Sequence, residues 1–177
     1  MIPINILSKM GIYEVEIIKG VKVKVSVIDN ATLISDKISE LRSLLQRSII
    51  GFDVKHQLAS VPECLGQFLA DETICFVGIK LDNQVTSIQR HGLRCVTAVE
   101  VADELAARIL QKPILRNCGL VDIRSALGRN SLPITGLPER IPDWNARFFT
   151  HGEIKYAILD ARSCYRIGAR LLRKLNL

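Results

Sequence analysis

Cysteine pairs at a metal-binding spacing are absent from this chain. Its five cysteines, Cys64, Cys75, Cys95, Cys118 and Cys164, are far apart and include no Cys-x-x-Cys pair. Neither a zinc knuckle nor a disulfide framework is therefore indicated. An odd number of thiols with mostly apolar neighbours suits a reducing compartment.

Two kinds of targeting segment are also missing. No run approaches the roughly 18 consecutive apolar residues that a membrane span requires. Residues 1–5 show neither the basic start nor the apolar core of a signal peptide. The absence of both segments leads us to expect a cytoplasmic or nuclear protein. We also find no internal repeat or low-complexity tract.

Catalytic arrangements built on histidine, cysteine or serine are not apparent. The histidines, His56, His91 and His151, share no metal-ligand spacing, and we expect them at the surface. The thiols have no evident histidine partner for nucleophilic chemistry. The sequence shows no Ser/His/Asp arrangement either.

The chain does have an ordinary globular composition with a basic excess. It has 177 residues, of which 48% are hydrophobic, enough to bury a sizeable core. Lys and Arg outnumber Asp and Glu by 24 to 18, and this excess of +6 favours polyanionic partners such as nucleic acid. We predict one domain over residues 1–177, with an N-terminal hairpin at 1–30 and a core at 31–177 that ends in a basic helix.

Hydrophobic periodicity divides the chain into strands and helices. Residues 21–27 alternate strictly and are predicted to pair with residues 13–18 in a hairpin with one solvated face. Asp29 or Asn30 is predicted to cap a helix that ends before a strand at 48–53. Further strands are predicted at 73–79 and 94–99, and further helices at 62–69, 83–91, 100–110 and 119–127. This order predicts a mixed α/β sheet flanked by helices.

The C-terminal part combines a loop with a long helix. Residues 129–143 contain three prolines and a glycine, which predicts a loop. Thr150 is predicted to cap the final helix, with Glu153 completing a capping box.

One quadrant of this final helix is basic: Lys155, Arg162, Arg166, Arg170 and Arg173. The opposite side carries mostly apolar residues: Asp160, Cys164, Ile167, Leu171 and Leu175. A solvated face is the simpler interpretation of the basic quadrant, and a row of phosphate contacts is the functional one.

Two fragments carry the candidate chemistry. Tyr156 and Asp160 are four residues apart in the final helix, so their side chains share one face. Asp53 ends a predicted buried strand, where catalytic carboxylates of metal-dependent nucleases tend to lie. Each also has a structural interpretation: Asp53 as a cap or turn residue and Tyr156 as a packed aromatic. Asp160 is in an apolar neighbourhood and needs a partner, which favours a metal or a salt bridge.

In these motifs the sequence resembles the DEDDy 3′-5′ exonucleases of the DnaQ-like, ribonuclease H-like class, in particular small plant proteins related to the Werner-syndrome exonuclease domain. The resemblance covers nearly the whole chain. It depends on five segments in the same order as in the family, namely residues 49–53, 76–79, 119–128, 143–146 and 156–161.

The resemblance implies two-metal phosphodiester hydrolysis. In that mechanism four carboxylates hold two Mg²⁺ or Mn²⁺ ions roughly 3.5–4 Å apart. Asp53 would be the first metal ligand and Asp160 the last, and Tyr156 would orient the attacking water. Trp144 could stack on a base, although we expect it to pack before the last helix.

Two departures from the family pattern concern the metal ligands. Lys55 stands two positions after Asp53, where the family has a carboxylate, and Gln84 stands at the aspartate of the second motif. Asp82 is a possible substitute ligand, but the helix register would point it elsewhere. With two of four carboxylates replaced, the ligand positions have a formal charge of −1, too little to hold two divalent cations.

A third departure is a shortened sheet. Only residues 56–60 separate Lys55 from the helix that begins near Val61, whereas relatives place two strands there, which need roughly 15–25 residues. The strand ending at Asp53 would then have an exposed edge. We therefore expect association with a second copy or with an exonuclease relative, and small relatives that form rings support this by analogy.

These features lead to three hypotheses. The first is a degenerate, catalytically impaired exonuclease-like protein that binds nucleic acid or an exonuclease relative. The second is an active metal-dependent 3′-5′ exonuclease on single-stranded RNA or DNA, with Asp82 or a partner's carboxylate completing the site. The third is a protein-interaction module that uses the sheet edge and binds no nucleic acid.

Overall fold

The computed structural model describes residues 11–18, 20–28, 30–45, 48–54, 61–128, 142–144 and 149–175. The strands are β1 (Gly11–Ile18), β2 (Val21–Val27), β3 (Ile49–Gly51), β4 (Cys75–Gly78) and β5 (Ala98–Glu100). The α-helices are α1 (Ala31–Leu44), α2 (Glu63–Leu69), α3 (Leu81–Gln89), α4 (Leu120–Ala126) and α5 (His151–Leu172). A π-helix spans Val101–Ala107, and 3₁₀ helices span Pro113–Asn117 and Arg173–Leu175.

The predicted N-terminal hairpin is confirmed. β1 and β2 pair antiparallel, and burial alternates along β2 as its sequence does. Val15 and Ile17 are buried against Leu159 of α5, which anchors the hairpin to the rest of the fold. On the solvated face, Lys22 and Glu14 lie 3.5 Å apart as an exposed ion pair.

The second sheet is parallel, in the order β3-β4-β5. With helices packed on it, this arrangement confirms the predicted α/β class. Among the described residues, β3 pairs with β4 alone and forms one edge of the sheet. The three strands are shorter than the predicted segments, because the sheet ladder covers only the residues directly opposite each other.

One predicted boundary is wrong. The strand expected at residues 94–99 is observed at Ala98–Glu100, after a turn at Val96 and Thr97. Glu100 therefore ends a strand and does not begin a helix. Its carboxylate accepts a hydrogen bond from the Ala102 N–H and so caps the π-helix that follows. The helix expected from Glu100 begins one residue later, with π geometry in its first two turns.

Helix termini follow the predicted capping chemistry. Asn30, not Asp29, is the N-cap of α1, because its side chain accepts from the Thr32 and Leu33 N–H groups. Thr150 and Glu153 form the predicted capping box at the start of α5. The predicted loop at 129–143 lies outside the described residues except for its last two positions.

Helix α5 lies directly on the parallel sheet, and two glycines make this contact possible. A Cβ added at Gly51 would overlap the carbonyl oxygen of Ala161 and lie 2.8 Å from the Tyr165 backbone nitrogen. A Cβ at Gly168 would lie 2.8 Å from a methyl carbon of Val77 in β4. The missing side chains therefore let α5 pack at backbone distance across β3 and β4, as close packing requires.

Candidate functional site

The side chain of Gln84 connects the ends of two neighbouring strands. From the first half of α3, its Nε2 donates to Asp53 Oδ1 at 3.1 Å and to the Ile79 carbonyl oxygen at 3.0 Å. Its Oε1 accepts from the Val54 N–H at 2.8 Å. Asp53 and Val54 follow β3, and Ile79 follows β4. Gln84 thus joins the carboxyl ends of both strands, where ligand sites of parallel sheets usually form.

These three contacts fix the orientation of the Gln84 amide. The Val54 N–H requires an acceptor, whereas the Asp53 carboxylate and the Ile79 carbonyl require donors. A flipped amide would lose all three hydrogen bonds, so the NH₂ group must face Asp53. We call this arrangement of Gln84, Asp53, Val54 and Ile79 the amide clamp.

The donor set of the amide clamp does not fit a divalent cation. Hard cations need oxygen ligands, but the Gln84 side chain presents N–H donors to Asp53 Oδ1 and to the Ile79 carbonyl oxygen. The Oδ2 atom of Asp53 is also buried. Within the described ranges, no group of three or more His, Cys, Asp or Glu side chains is placed to hold a metal ion.

Asp160 approaches this region from α5. Its neighbour Ala161 contacts Gly51, and Asp53 follows Gly51 by two residues, so the turn of α5 that carries Asp160 crosses the end of β3. Asp160 and Asp53 both have interactions within the protein. Lys55, the third predicted position near this strand end, lies outside the described residues.

Tyr156 belongs to an aromatic cluster. Its ring centroid lies 6.1 Å from that of Trp144, which lies 5.8 Å from the Phe149 ring. The packing interpretation of Trp144 is therefore confirmed. Tyr156 stands one turn before Asp160, as predicted from the sequence. Its role in orienting water stays a prediction.

Asp82 faces a different part of the molecule. It lines a cleft of about 440 Å³ with Glu100 and Glu104, between α3 and the end of β5. Burial raises the pKa of Glu100, hydrogen bonds from the Ala102 and Leu81 N–H groups oppose this, and the negative charges of Asp82 and Glu104 raise it further. Gln84, and not Asp82, contacts Asp53, as the predicted helix register requires.

Sequence reasoning missed Glu100, which lies at the carboxyl end of β5. It accepts from the Leu81 N–H at 2.8 Å and from the Ala102 N–H at 3.0 Å, which ties the end of β5 to the starts of two helices. A glutamate that follows a β-branched run and precedes a helix was the available signal. The misplaced boundary of β5 hid it inside a predicted helix.

The basic quadrant of α5 is largely solvent-facing. Arg166, Arg170 and Arg173 are exposed, whereas Arg162 is half-buried and its Nε is fully buried. Burial and the charge of Arg166 both lower the pKa of Arg162. None of the four forms an ion pair within the described part of the chain. On the opposite side Cys164, Ile167 and Leu171 are buried as predicted, but Leu175 is 48% exposed, because a 3₁₀ turn follows α5.

Comparison with known proteins gives structural neighbours only. No protein-family model and no curated protein sequence matches the chain. Its fold is similar to the EXD2 exonuclease domain soaked in Mg and GMP, with 18% identity, 84% of this chain and 92% of that chain covered, and a TM-score of 0.39. The same domain soaked in Mn and Mg is 20% identical, with 79% of this chain and 83% of that chain covered and a TM-score of 0.37. At this level of similarity, any functional conclusion depends on the residues of the site.

Among the described residues, no helix combines the length and the apolar character needed to cross a membrane.

Proposed function

We propose that this chain is an exonuclease-like protein that no longer cleaves by the two-metal mechanism and that binds single-stranded nucleic acid. The amide clamp carries the first half of this proposal. Gln84 supplies a neutral donor at the place where the sequence motifs predict a metal-binding carboxylate. Asp53 Oδ1 thereby accepts a hydrogen bond from a neutral amide.

The formal charges of the motif positions support impaired catalysis. Asp53 and Asp160 contribute −2, Gln84 contributes nothing, and Lys55 adds +1. Two divalent cations carry +4, so this set would leave them largely uncompensated. A single weakly held ion between the two aspartates, or a salt bridge of Lys55 with one of them, suits this charge better.

The second half of the proposal depends on the arginines of α5. From Arg162 to Arg173 the helix rises about 16 Å, and the spacing of four, four and three residues keeps the guanidinium groups on one face. Neighbouring like charges destabilise a helix in the absence of a partner. Phosphate groups of a nucleic acid strand would neutralise them and release counterions.

Cleavage is tested with 3′-labelled and 5′-labelled single strands of RNA and DNA in Mn²⁺. We expect no products from the unmodified protein, because its site lacks two carboxylates. A Lys55→Glu plus Gln84→Asp variant, assayed in parallel, restores the motif ligands. Shortening from the 3′ end by the unmodified protein would contradict the proposal and support the active exonuclease, whose ligand set Asp82 or a partner would complete.

Binding is tested with the same strands by fluorescence anisotropy at several salt concentrations. Arg166→Glu plus Arg170→Glu should weaken binding at least about tenfold and reduce its dependence on salt. Arg90→Glu plus Arg94→Glu, outside α5, serves as the matched control. Unchanged affinity in the α5 variant, or no binding by the unmodified protein, would leave protein interaction as the function.

A further inference from the structure

The outer edge of β3 forms the floor of a groove. The groove has a volume of about 490 Å³. One wall is the end of α1, with Leu41, Leu44 and Leu45, and the other is α5, with Tyr165 and Ala169. Leu44 is 67% exposed and Tyr165 42% exposed, so both walls present apolar surface to solvent.

The floor of the groove offers main-chain hydrogen-bonding groups. The Cys75 N–H donates to the Ser48 carbonyl at 2.6 Å, and the Phe52 N–H donates to the Val77 carbonyl at 2.9 Å. These bonds and the ladder register direct the main-chain groups of Ser48, Ile50 and Phe52 toward β4. Those of Ile49 and Gly51 point the opposite way, because successive residues alternate along a strand.

The outward groups of Ile49 and Gly51 form no main-chain hydrogen bond with other described residues. Two N–H donors and two carbonyl acceptors therefore line the floor between apolar walls. This combination matches β-strand addition, in which an extended peptide gains affinity from main-chain bonds and specificity from its alternating side chains. A nucleic acid strand lacks a repeating amide ladder and could not satisfy this edge.

Charge distinguishes between the possible peptides. Arg173 is the only ionised side chain that lines the described part of the groove, and Arg166 and Arg170 are exposed on the same helix. A second copy pairing through this edge would place two such arginine rows around one two-fold axis. Like-charge repulsion opposes that arrangement, whereas a carboxylate beside Arg173 would be attracted.

We propose that the β3 edge binds an extended segment of another protein, with alternating apolar residues and an acidic residue beside them. The segment would pair with Ile49 and Gly51, place apolar side chains against Leu44 and Tyr165, and direct its carboxylate to Arg173. This surface is separate from the amide clamp, and it shares only Arg173 with the arginine row proposed to contact phosphate.

A phage-displayed library of random eleven-residue peptides tests the proposal. Selection on the full chain should enrich peptides with alternating apolar residues and an acidic flank. A synthetic peptide of the enriched sequence should then bind at least about tenfold more weakly to Leu44→Lys and to Arg173→Glu. Ile114→Lys is the matched control, since Ile114 is 80% exposed outside the groove and should leave the affinity unchanged.

Amide hydrogen exchange locates the bound peptide. Binding should slow exchange at Ile49 and Gly51, because their N–H groups become hydrogen-bonded. The proposal would be overturned if selection on the unmodified chain enriched no more peptides than selection on Leu44→Lys. It would also be overturned if a peptide bound without protecting these two amides. The proposal would also be overturned if these amides were protected by self-association, which sedimentation would detect. Protection of the same amides by a single-stranded oligonucleotide would overturn it as well.

Discussion

The carboxyl end and the outer edge of strand β3 differ in how their hydrogen-bonding groups are satisfied. At its carboxyl end, Gln84 satisfies Asp53, the Val54 N–H and the Ile79 carbonyl with one side chain. Along its outer edge, the main-chain groups of Ile49 and Gly51 form no such bonds within the described residues. The carboxyl end of β3 is therefore closed by one side chain, whereas its outer edge stays open among the described residues.

This difference separates two kinds of gap in the hydrogen bonding of a sheet. A glutamine can close a site because an amide supplies both a donor and an acceptor over a few ångströms. A missing strand leaves several main-chain groups and the apolar surface on both sides of them, which no single side chain can cover. The closed end suits loss of chemistry, and the open edge suits a partner.

The largest expected effect comes from Gly51→Ala, which tests whether α5 holds β3 in place on its packed face. The added methyl would overlap the Ala161 carbonyl, so the helix has to move away from the strand. We expect a loss of about 3 kcal/mol in the free energy of unfolding, measured by urea denaturation.

Gly119→Ala is the matched control for that change. Gly119 has an ordinary negative φ of −79° and nothing near its missing Cβ. Because it is the N-cap of α4, where alanine is less favourable than glycine, the variant should lose about 1 kcal/mol or less. Equal effects of the two substitutions would show that the close contact between β3 and α5 does not exist in solution.

The next effect comes from Gln84→Glu, which breaks the closed end. A carboxylate oxygen would replace Nε2 and face Asp53 Oδ1 and the Ile79 carbonyl, two acceptors that then lose their donor. We expect destabilisation by about 1–3 kcal/mol, or about 2–4 °C in unfolding temperature for each kcal/mol. Gln89→Glu makes the same chemical change at the exposed end of α3 and should have little effect. No difference between the two variants would argue against the amide clamp.

The smallest effect concerns α1, which forms one wall of the groove beside the β3 edge. Hydrogen bonds from the Thr73 hydroxyl and N–H and from the Arg42 guanidinium lower the pKa of Asp71 from 3.8 to about 2. Since the folded-state value is the lower one, the ionised carboxylate stabilises the protein above pH 3.8 and loses this effect as pH falls toward 2. Arg42 belongs to α1, so this pair holds the groove wall against the turn before β4.

Asp71→Asn should therefore lower the unfolding temperature slightly at neutral pH. The difference from the unmodified protein should shrink as pH falls through the same range. A difference that grew with acid in Asp71→Asn would be opposite in sign to the expected linkage.

The features that were predictable from the sequence depend on local physics. Strict alternation in residues 21–27 determined the hairpin, and the Thr150 and Glu153 pair determined the start of α5. The alignment of motifs placed Gln84 and Asp53 at one site, but it did not predict the hydrogen bond that joins them. The close approach of Gly51 to α5 could not be predicted, since it depends on two segments more than a hundred residues apart.

The role of Glu100 was missed for a related reason. Short strands of three residues carry almost no periodic signal, so the boundary of β5 fell in the wrong place. The outward direction of the Ile49 and Gly51 main-chain groups likewise depends on the register with β4. Which groups a strand leaves unpaired is a property of its pairing, and a sequence pattern specifies it only indirectly.

The most direct test of the amide clamp is the Mn²⁺ dependence of unfolding temperature in the unmodified protein and in Gln84→Glu. A carboxylate oxygen in place of Nε2 would set two acidic groups side by side, and hard cations prefer such oxygen ligands.

At a concentration about a hundred times the dissociation constant, Mn²⁺ would add about 2.7 kcal/mol, or about 5–10 °C for a protein of this size. We expect this gain in Gln84→Glu and a much smaller one in the unmodified protein. An equal gain in the unmodified protein would contradict the account, because the Gln84 amide could not then be holding the place of a metal ligand.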